Sequence, residues 1–253
     1  MLKKLFSVIC ALSWSLPILP TVAQAYSNAD LLAVQNGASC PNGDLSGADL
    51  SGLDLSGRDF SGADFTEARL EKTNLSKAQL KGACLRSSIL SKVNMRQANL
   101  QRADFSFALA NFADLTNAKL NSAVLYRAQF NGATLLNADL EDVSGAEASF
   151  SGSKCDYANF SYANLPYSYW QNAELPNTVF QSANLYSAKM HRCNLNYSNL
   201  NSAKMGNAQL NNSNLSHAYF DRAVLDRANL TGADLTYTVF GTAFREDIIW
   251  EQQ

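Results

Sequence analysis

The 253 residues carry 20 Lys and Arg against 22 Asp and Glu, a net charge of −2. A balance this close excludes a strongly basic nucleic-acid binder, which needs a clustered positive field. The length suits one large domain or two ordinary ones, and with only 17% of residues charged, Asn and Ser fill many polar positions.

Lys3 and Lys4 open the chain with a short positive region, Leu5 to Leu19 is mostly apolar, and Ala23-Gln24-Ala25 follows. This is the pattern of a secretory signal peptide over residues 1–25, with cleavage between Ala25 and Tyr26. The apolar run is short for a membrane span and contains Pro17 and Pro20, which favours a cleaved leader over a retained anchor. No Arg pair marks a twin-arginine route, so Sec-type export to the periplasm or the extracellular space is expected. Cleavage leaves 18 basic against 22 acidic residues, a net −4. No later apolar run is long enough to insert stably in a membrane.

Residues 26–42 read as an N-terminal cap. Asn28 to Val34 has the makings of a short helix, with Ser27 or Asn28 as N-cap and Gly37 as its stop.

From Gly43 onward the chain repeats every five residues. Leu45, Leu50, Leu55, Phe60 and Phe65 begin a series that holds its register to Phe240; of its 40 sites, 37 are Leu, Phe, Met or Trp. The exceptions are Ala110, Gly145 and Cys155. Two positions earlier runs a second column, mostly Ala (Ala48, Ala63, Ala68, Ala78), in which only Leu53 and Arg58 are large. A period of five fits neither helix nor strand. A chain that turns at every repeat, four repeats to a coil, brings the large column into the centre and the small column into the crowded space beside it. Successive coils then pair backbone to backbone at about 4.8 Å, and ten coils make a rod roughly 48 Å long.

This pattern, with Ser46-Gly47-Ala48-Asp49-Leu50-Ser51-Gly52 as a clear instance, closely resembles the pentapeptide-repeat protein family. The resemblance implies an all-β fold, a right-handed quadrilateral β-helix of about ten coils spanning residues 43–244, with short caps at both ends. It also offers functions. Some members resemble DNA in shape and charge and modulate DNA gyrase, which needs a cytoplasmic, strongly acidic protein; the leader and the net charge of −4 oppose that here. Exported members are frequent in cyanobacteria, where the thylakoid lumen is a further destination.

With a coil of 20 residues, the outward column just before the core site stacks Asn74, Asn94 and Asp114 on one side, and Asn194, Asn214 and Asp234 further along it. Such stacks form amide ladders. Asp44, Asp49, Asp54, Asp59 and Asp64 girdle the first coil and point in different directions, unlike the convergent oxygens of a calcium site. The pattern strains over residues 141–177, where Gly145, Cys155 and Trp170 occupy core sites and a small residue can make room for the indole. Exposed tyrosines gather there. Tyr157, Tyr162, Tyr167 and Tyr169 are the candidate interaction surface, for a protein or an envelope glycan, although the first three fall on successive sides of the square. Phe107 and Phe112 are a smaller candidate.

After Phe240 the register is expected to fail, since Arg245 takes the next core site. Residues 245–253 read as a cap in which Ile248, Ile249 and Trp250 cover the last coil or join a second copy as a homodimer.

Little here points to chemistry. His191 and His217 have no ligand partner at metal-binding spacing, and no nucleophile elbow, phosphate loop or dinucleotide fingerprint is present. We expect no catalytic residues, no cofactor and no metal. Cys40, Cys84, Cys155 and Cys193 remain after cleavage; Cys155 and Cys193 sit in inward columns about two coils apart, roughly 10 Å, too far for a disulfide. The expected function is an exported, non-catalytic structural or protein-interaction scaffold with an unidentified protein partner and no nucleic acid.

The inward assignment is testable. Leu195→Asp should bury an unpaired charge and unfold the neighbouring coils, seen as a large drop in melting temperature; an unchanged melting curve would place that column outside.

Overall fold

The computed structural model describes residues 26–250. The proposed leader, with Ala25 on its side of the cleavage point, and residues 251–253 lie outside them.

Helix α1 runs Asn28–Gln35. Ser27 is extended, and its hydroxyl accepts the Asp30 N–H at 3.2 Å. Gly37, at φ +96°, lets the chain leave the helix. Val34 is buried against the first coil. Arg58 closes the joint, donating Nη1 to the Val34 carbonyl at 2.8 Å and Nη2 to the Asp54 carbonyl at 2.7 Å. The first coil needs no small residue at position 58, because the space there belongs to the cap and not to another coil.

Beyond α1 the chain is a β-helix solenoid. From Asp44↔Asp64 to Asn229↔Ile249, every fifth residue forms a parallel bridge with the residue 20 positions on. Each side of a coil contributes a single bridged residue before a two-residue corner turns the chain. Coil-to-coil hydrogen bonding begins earlier than residue 43, with the Cys40 N–H on the Asp59 carbonyl and the Asn42 N–H on the Ser61 carbonyl, each at 2.8 Å.

One repeat shows how the backbone is satisfied. Ala98 donates to the Met95 carbonyl at 3.0 Å and closes a corner; Asn99 donates to Ala78 on the preceding coil at 3.0 Å; Leu100 and Arg102 donate to Lys119 and Asn121 on the next, at 2.7 and 3.0 Å. The fifth donor, the Gln101 N–H, goes to the Asn99 side chain at 3.3 Å. All five donors of this repeat therefore find acceptors, as buried backbone requires. The carboxylates at Asp44, Asp49, Asp54, Asp59 and Asp64 do the same, each accepting the N–H two residues on at 2.8–3.2 Å. The acidic girdle is a set of corner caps.

The second corner residue is left-handed, which sequence analysis did not foresee. Gly47 and Gly52 have φ of +70° and +71°, but Lys92, Arg102 and Tyr162 adopt +60°, +58° and +60°. A positive φ in the second central position is the geometry of a type II turn, where glycine is the usual residue. Strain of about 1 kcal/mol at each L-residue is overridden by the hydrogen bonds that fix the corner.

Inside, the columns stack. Phe130, Phe150 and Trp170 lie face to face, with centroids 5.3 and 4.3 Å apart. Phe160 and Phe180 meet the indole edge-on at 5.2 and 5.4 Å. Trp170 is fully buried, and its Nε1 donates to the Ser168 hydroxyl at 2.7 Å, so its one polar group is satisfied. Gly145 leaves no hole. A Cβ there would lie 2.8 Å from Leu125 Cβ and 3.1 Å from Leu165 Cδ2, the core residues directly below and above it.

The C-terminal boundary differs from expectation. The bridges Val224↔Phe244 and Asn229↔Ile249 carry the repeat past residue 244, so residues 245–250 are a further stretch of coil and not a separate tail. Arg245 at the next core site is exposed, and its guanidinium rests 5.3 Å from the Phe240 ring centroid. Trp250 meets the same ring edge-on at 6.4 Å, and Ile248 packs partly buried against the core. Phe244, Ile249 and Trp250 keep exposed surface.

Restoring the repeat's own preference should be harmful at one place. Gly145→Leu puts the majority residue back into the core column but has no room for even its first carbon; we expect a loss of about 1–3 kcal/mol or more, measured by chemical denaturation. A stabilised variant would mean that Leu125 and Leu165 part freely.

Candidate functional site

Residues 20 apart share an edge of the rod. Tyr157, Tyr162 and Tyr167 occupy three consecutive corners, so the structure does not gather them into one patch. All three are well exposed, at 62%, 55% and 52%. Tyr169 lies on the flat side after the Tyr167 corner, where Lys189 Nζ stands 4.7 Å over its ring. Tyr167 has an aromatic neighbour one coil on, meeting Tyr186 edge-on at 5.8 Å. Phe107 meets Tyr126 in the same manner at 5.3 Å, on the same edge, and the Phe112 ring lies over Gly132.

A contiguous aromatic surface lies closer to the C-terminus, on the edge that also carries Tyr157. There Tyr197, His217 and Tyr237 stack, with centroids 4.5 and 4.9 Å apart and planes within 5° and 26° of parallel. Tyr237 is 75% exposed. Tyr219 and Val239, bridged to one another on the adjoining side, are exposed beside the stack. The sequence signal was available: second-corner positions at intervals of 20 read Tyr157, Asn177, Tyr197, His217, Tyr237. It was missed because tyrosines were grouped by nearness along the chain.

The stack borders a carboxylate. Asp234 accepts from the Thr236 hydroxyl at 2.6 Å and the Thr236 N–H at 3.0 Å. These bonds, with a smaller contribution from nearby His217, hold its carboxyl below the ordinary range. Each expected stack holds one amide pair, with Asn94 donating to Asn74 at 3.0 Å and Asn214 to Asn194 at 3.3 Å.

Among the described residues no group of three His, Cys, Asp or Glu is placed to hold a metal ion, and no helix is long and apolar enough to cross a membrane. Cys40, Cys84, Cys155 and Cys193 are free thiols. Burial pushes both Cys155 and Cys193 up to about 12. Cys193 Sγ donates to the Trp170 carbonyl at 2.9 Å, and Cys155 Sγ lies 3.3 Å from the Ser153 hydroxyl.

A family model described as pentapeptide repeats matches residues 36–66, 44–82, 54–91, 78–109, 88–125, 98–135 and 203–240, and a model of a pentapeptide repeat region matches residues 123–200. No curated protein matches the sequence. Among solved structures, the chain is similar to HetL, a pentapeptide repeat protein involved in heterocyst differentiation regulation in the cyanobacterium Nostoc sp., at 25% identity over 87% of this chain and 95% of that one, with a TM-score of 0.31. It is also similar to a pentapeptide repeat protein of the Arabidopsis thaliana thylakoid lumen, at 31% identity over 46% and 67% of the two chains (TM-score 0.32). A third similarity is to QnrB1, a plasmid-mediated fluoroquinolone resistance protein, at 16% identity over 79% and 90% (TM-score 0.38).

Thiol chemistry checks this part of the structure. At pH 8 a thiol pushed up to about 12 is ionised in about one molecule in 10,000. Iodoacetamide should therefore label half-exposed Cys84 in the native protein and reach Cys155 and Cys193 only after unfolding. Rapid native labelling of Cys155 would show that its column is open to solvent.

Proposed function

The chain belongs to the pentapeptide-repeat family, and we propose that it is an exported, non-catalytic scaffold, a right-handed four-sided rod of about ten coils that docks a protein partner along the edge carrying Tyr197, His217 and Tyr237. Pentapeptide-repeat proteins are generally non-catalytic. Export is read from residues 1–25, and the destination is the periplasm, the extracellular space or a thylakoid lumen.

One observation carries the docking surface: the continuous aromatic patch formed by the Tyr–His–Tyr stack with Tyr219 and Val239 alongside. Aromatic side chains give large contact area with few rotors to freeze, and Tyr is enriched where interfaces concentrate their energy. A protein fits this patch better than a glycan. Sugars lie on open ring faces, whereas both faces of His217 are covered by its neighbours. Modulation of gyrase would need cytoplasmic residence and a more acidic surface than a net −4 supplies. A second copy of the chain is the competing occupant, through Phe244, Ile249 and Trp250 at the rod's end.

The test is site-specific photocrosslinking in cells, from a photoreactive residue at position 219 and, as a control, at position 99 on the same side of the rod. The expected product is a discrete adduct with another protein from position 219 alone, in the exported fraction, on a chain beginning at Tyr26. Equal labelling from both positions would overturn the docking surface, and an adduct of twice the chain's mass would replace the partner with a second copy. A chain beginning at Met1 in the cytoplasm would remove the export reading.

A further inference from the structure

The Tyr167 edge holds a second feature, independent of the stack. In the first-corner column of this edge, Tyr186 is followed one coil on by Gly206, and then by Asp226 and Glu246. Most coils place a side chain at this position. Its absence at residue 206 lets the Tyr186 ring lie down: a Cβ on Gly206 would sit 3.3 and 3.4 Å from Tyr186 Cδ2 and Cε2. The Tyr186 hydroxyl accepts from Asn207 Nδ2 at 2.9 Å, and Tyr167 supports the ring edge-on. The ring is held from three directions and still 42% exposed. It forms one wall of an open groove of about 490 Å³ that continues to Asp226, Glu246 and Asp247.

The charge in the groove is unequal. Three carboxylates face two cations, and Arg227 already lies 3.9 Å from Asp247. Asp226 Oδ1 is shielded from solvent and accepts no hydrogen bond among the described residues. Lys204 also lines the groove.

We propose that this groove receives an arginine side chain of a partner protein, its guanidinium plane lying on the Tyr186 ring and its N–H groups donating to Asp226, with Glu246 adding to the field. A guanidinium matches both elements at once, since it stacks on aromatic faces and presents a planar fork to carboxylates. An ammonium would satisfy the charge but not the plane. Gly206 is the specificity element, because any larger residue lifts the ring.

The probe is N-acetyl-L-argininamide, titrated into the purified protein and followed by amide resonances of Gly206, Asn207 and Asp226. Saturable shifts confined to these residues are expected, with a dissociation constant on the order of 10 mM. The citrulline analogue, which keeps the shape and loses the charge, should bind about tenfold more weakly, and so should Asp226→Asn, whose melting temperature should match the parent. Lys204→Ala should strengthen binding about twofold by removing a like charge. Absence of saturable shifts, equal binding of the citrulline analogue, or weaker binding to Lys204→Ala would each overturn the proposal. Sulfate binding in place of argininamide would assign the groove to an anion through Lys204 and Arg227 and overturn it equally.

Discussion

A buried backbone donor must meet an acceptor, and this chain meets that demand in a fixed order that dictates nearly everything else. Within a repeat, three of the five N–H groups reach carbonyls one coil away, as at Asn99, Leu100 and Arg102. The acceptors therefore lie at constant chain separation, and an inserted residue would displace every pair that spans it. The apolar columns keep their register for the same reason. A fourth donor closes the corner. The last has no backbone partner within reach and, where an Asp or Asn stands two residues before it, takes that side chain, as Ser46 and Ser106 do from Asp44 and Asp104. The acidic and amide residues of the repeat are thereby explained without a ligand.

Much of this was legible in the sequence, because a period of five is incompatible with a helix or a simple strand and each column has its own size limit. The inward columns, the cap helix ahead of them and the ladder of Asn74 and Asn94 could all be placed by counting. Three things could not. The left-handed corner is hidden because Lys92 or Arg102 carries no local preference for it; pairing between coils imposes it from outside. The continuation through Arg245 is hidden because a charge at a core site normally ends a solenoid, whereas here the side chain stays exposed with its guanidinium over the Phe240 ring. The aromatic surface was misplaced because Tyr157, Tyr162 and Tyr167 are close in sequence and turned apart in space, whereas Tyr197, His217 and Tyr237 are far apart in sequence and stacked.

The same coil geometry sorts side chains into files of like with like. Inside, it stacks Phe130, Phe150 and Trp170, and such aromatic contacts add to the burial of their surface. Outside, it pairs Asn with Asn and Arg127 with Glu147, at 2.9 Å. These exposed pairs contribute little to stability, since solvent screens them. They do consume the polar groups of a side, leaving it with few unsatisfied donors or acceptors for a visitor. Recognition is then left to positions where the file is broken or unsaturated. The Tyr–His–Tyr edge offers aromatic surface in place of amides, and the Tyr186 groove exists because Gly206 interrupts its column.

A convex rod also limits what those positions can do. Catalysis requires acid, base and nucleophile to converge on one small volume within hydrogen-bond reach. Outward side chains on a four-sided coil diverge from one another at every corner, and the only neighbours held parallel are those directly above and below. Stacking brings similar groups together more readily than the complementary set a reaction needs. The surface of such a rod is suited to long, shallow contacts read along an edge, where each coil adds one residue at a fixed step. On that argument the two edge features on this chain have a common origin, the 20-residue coil.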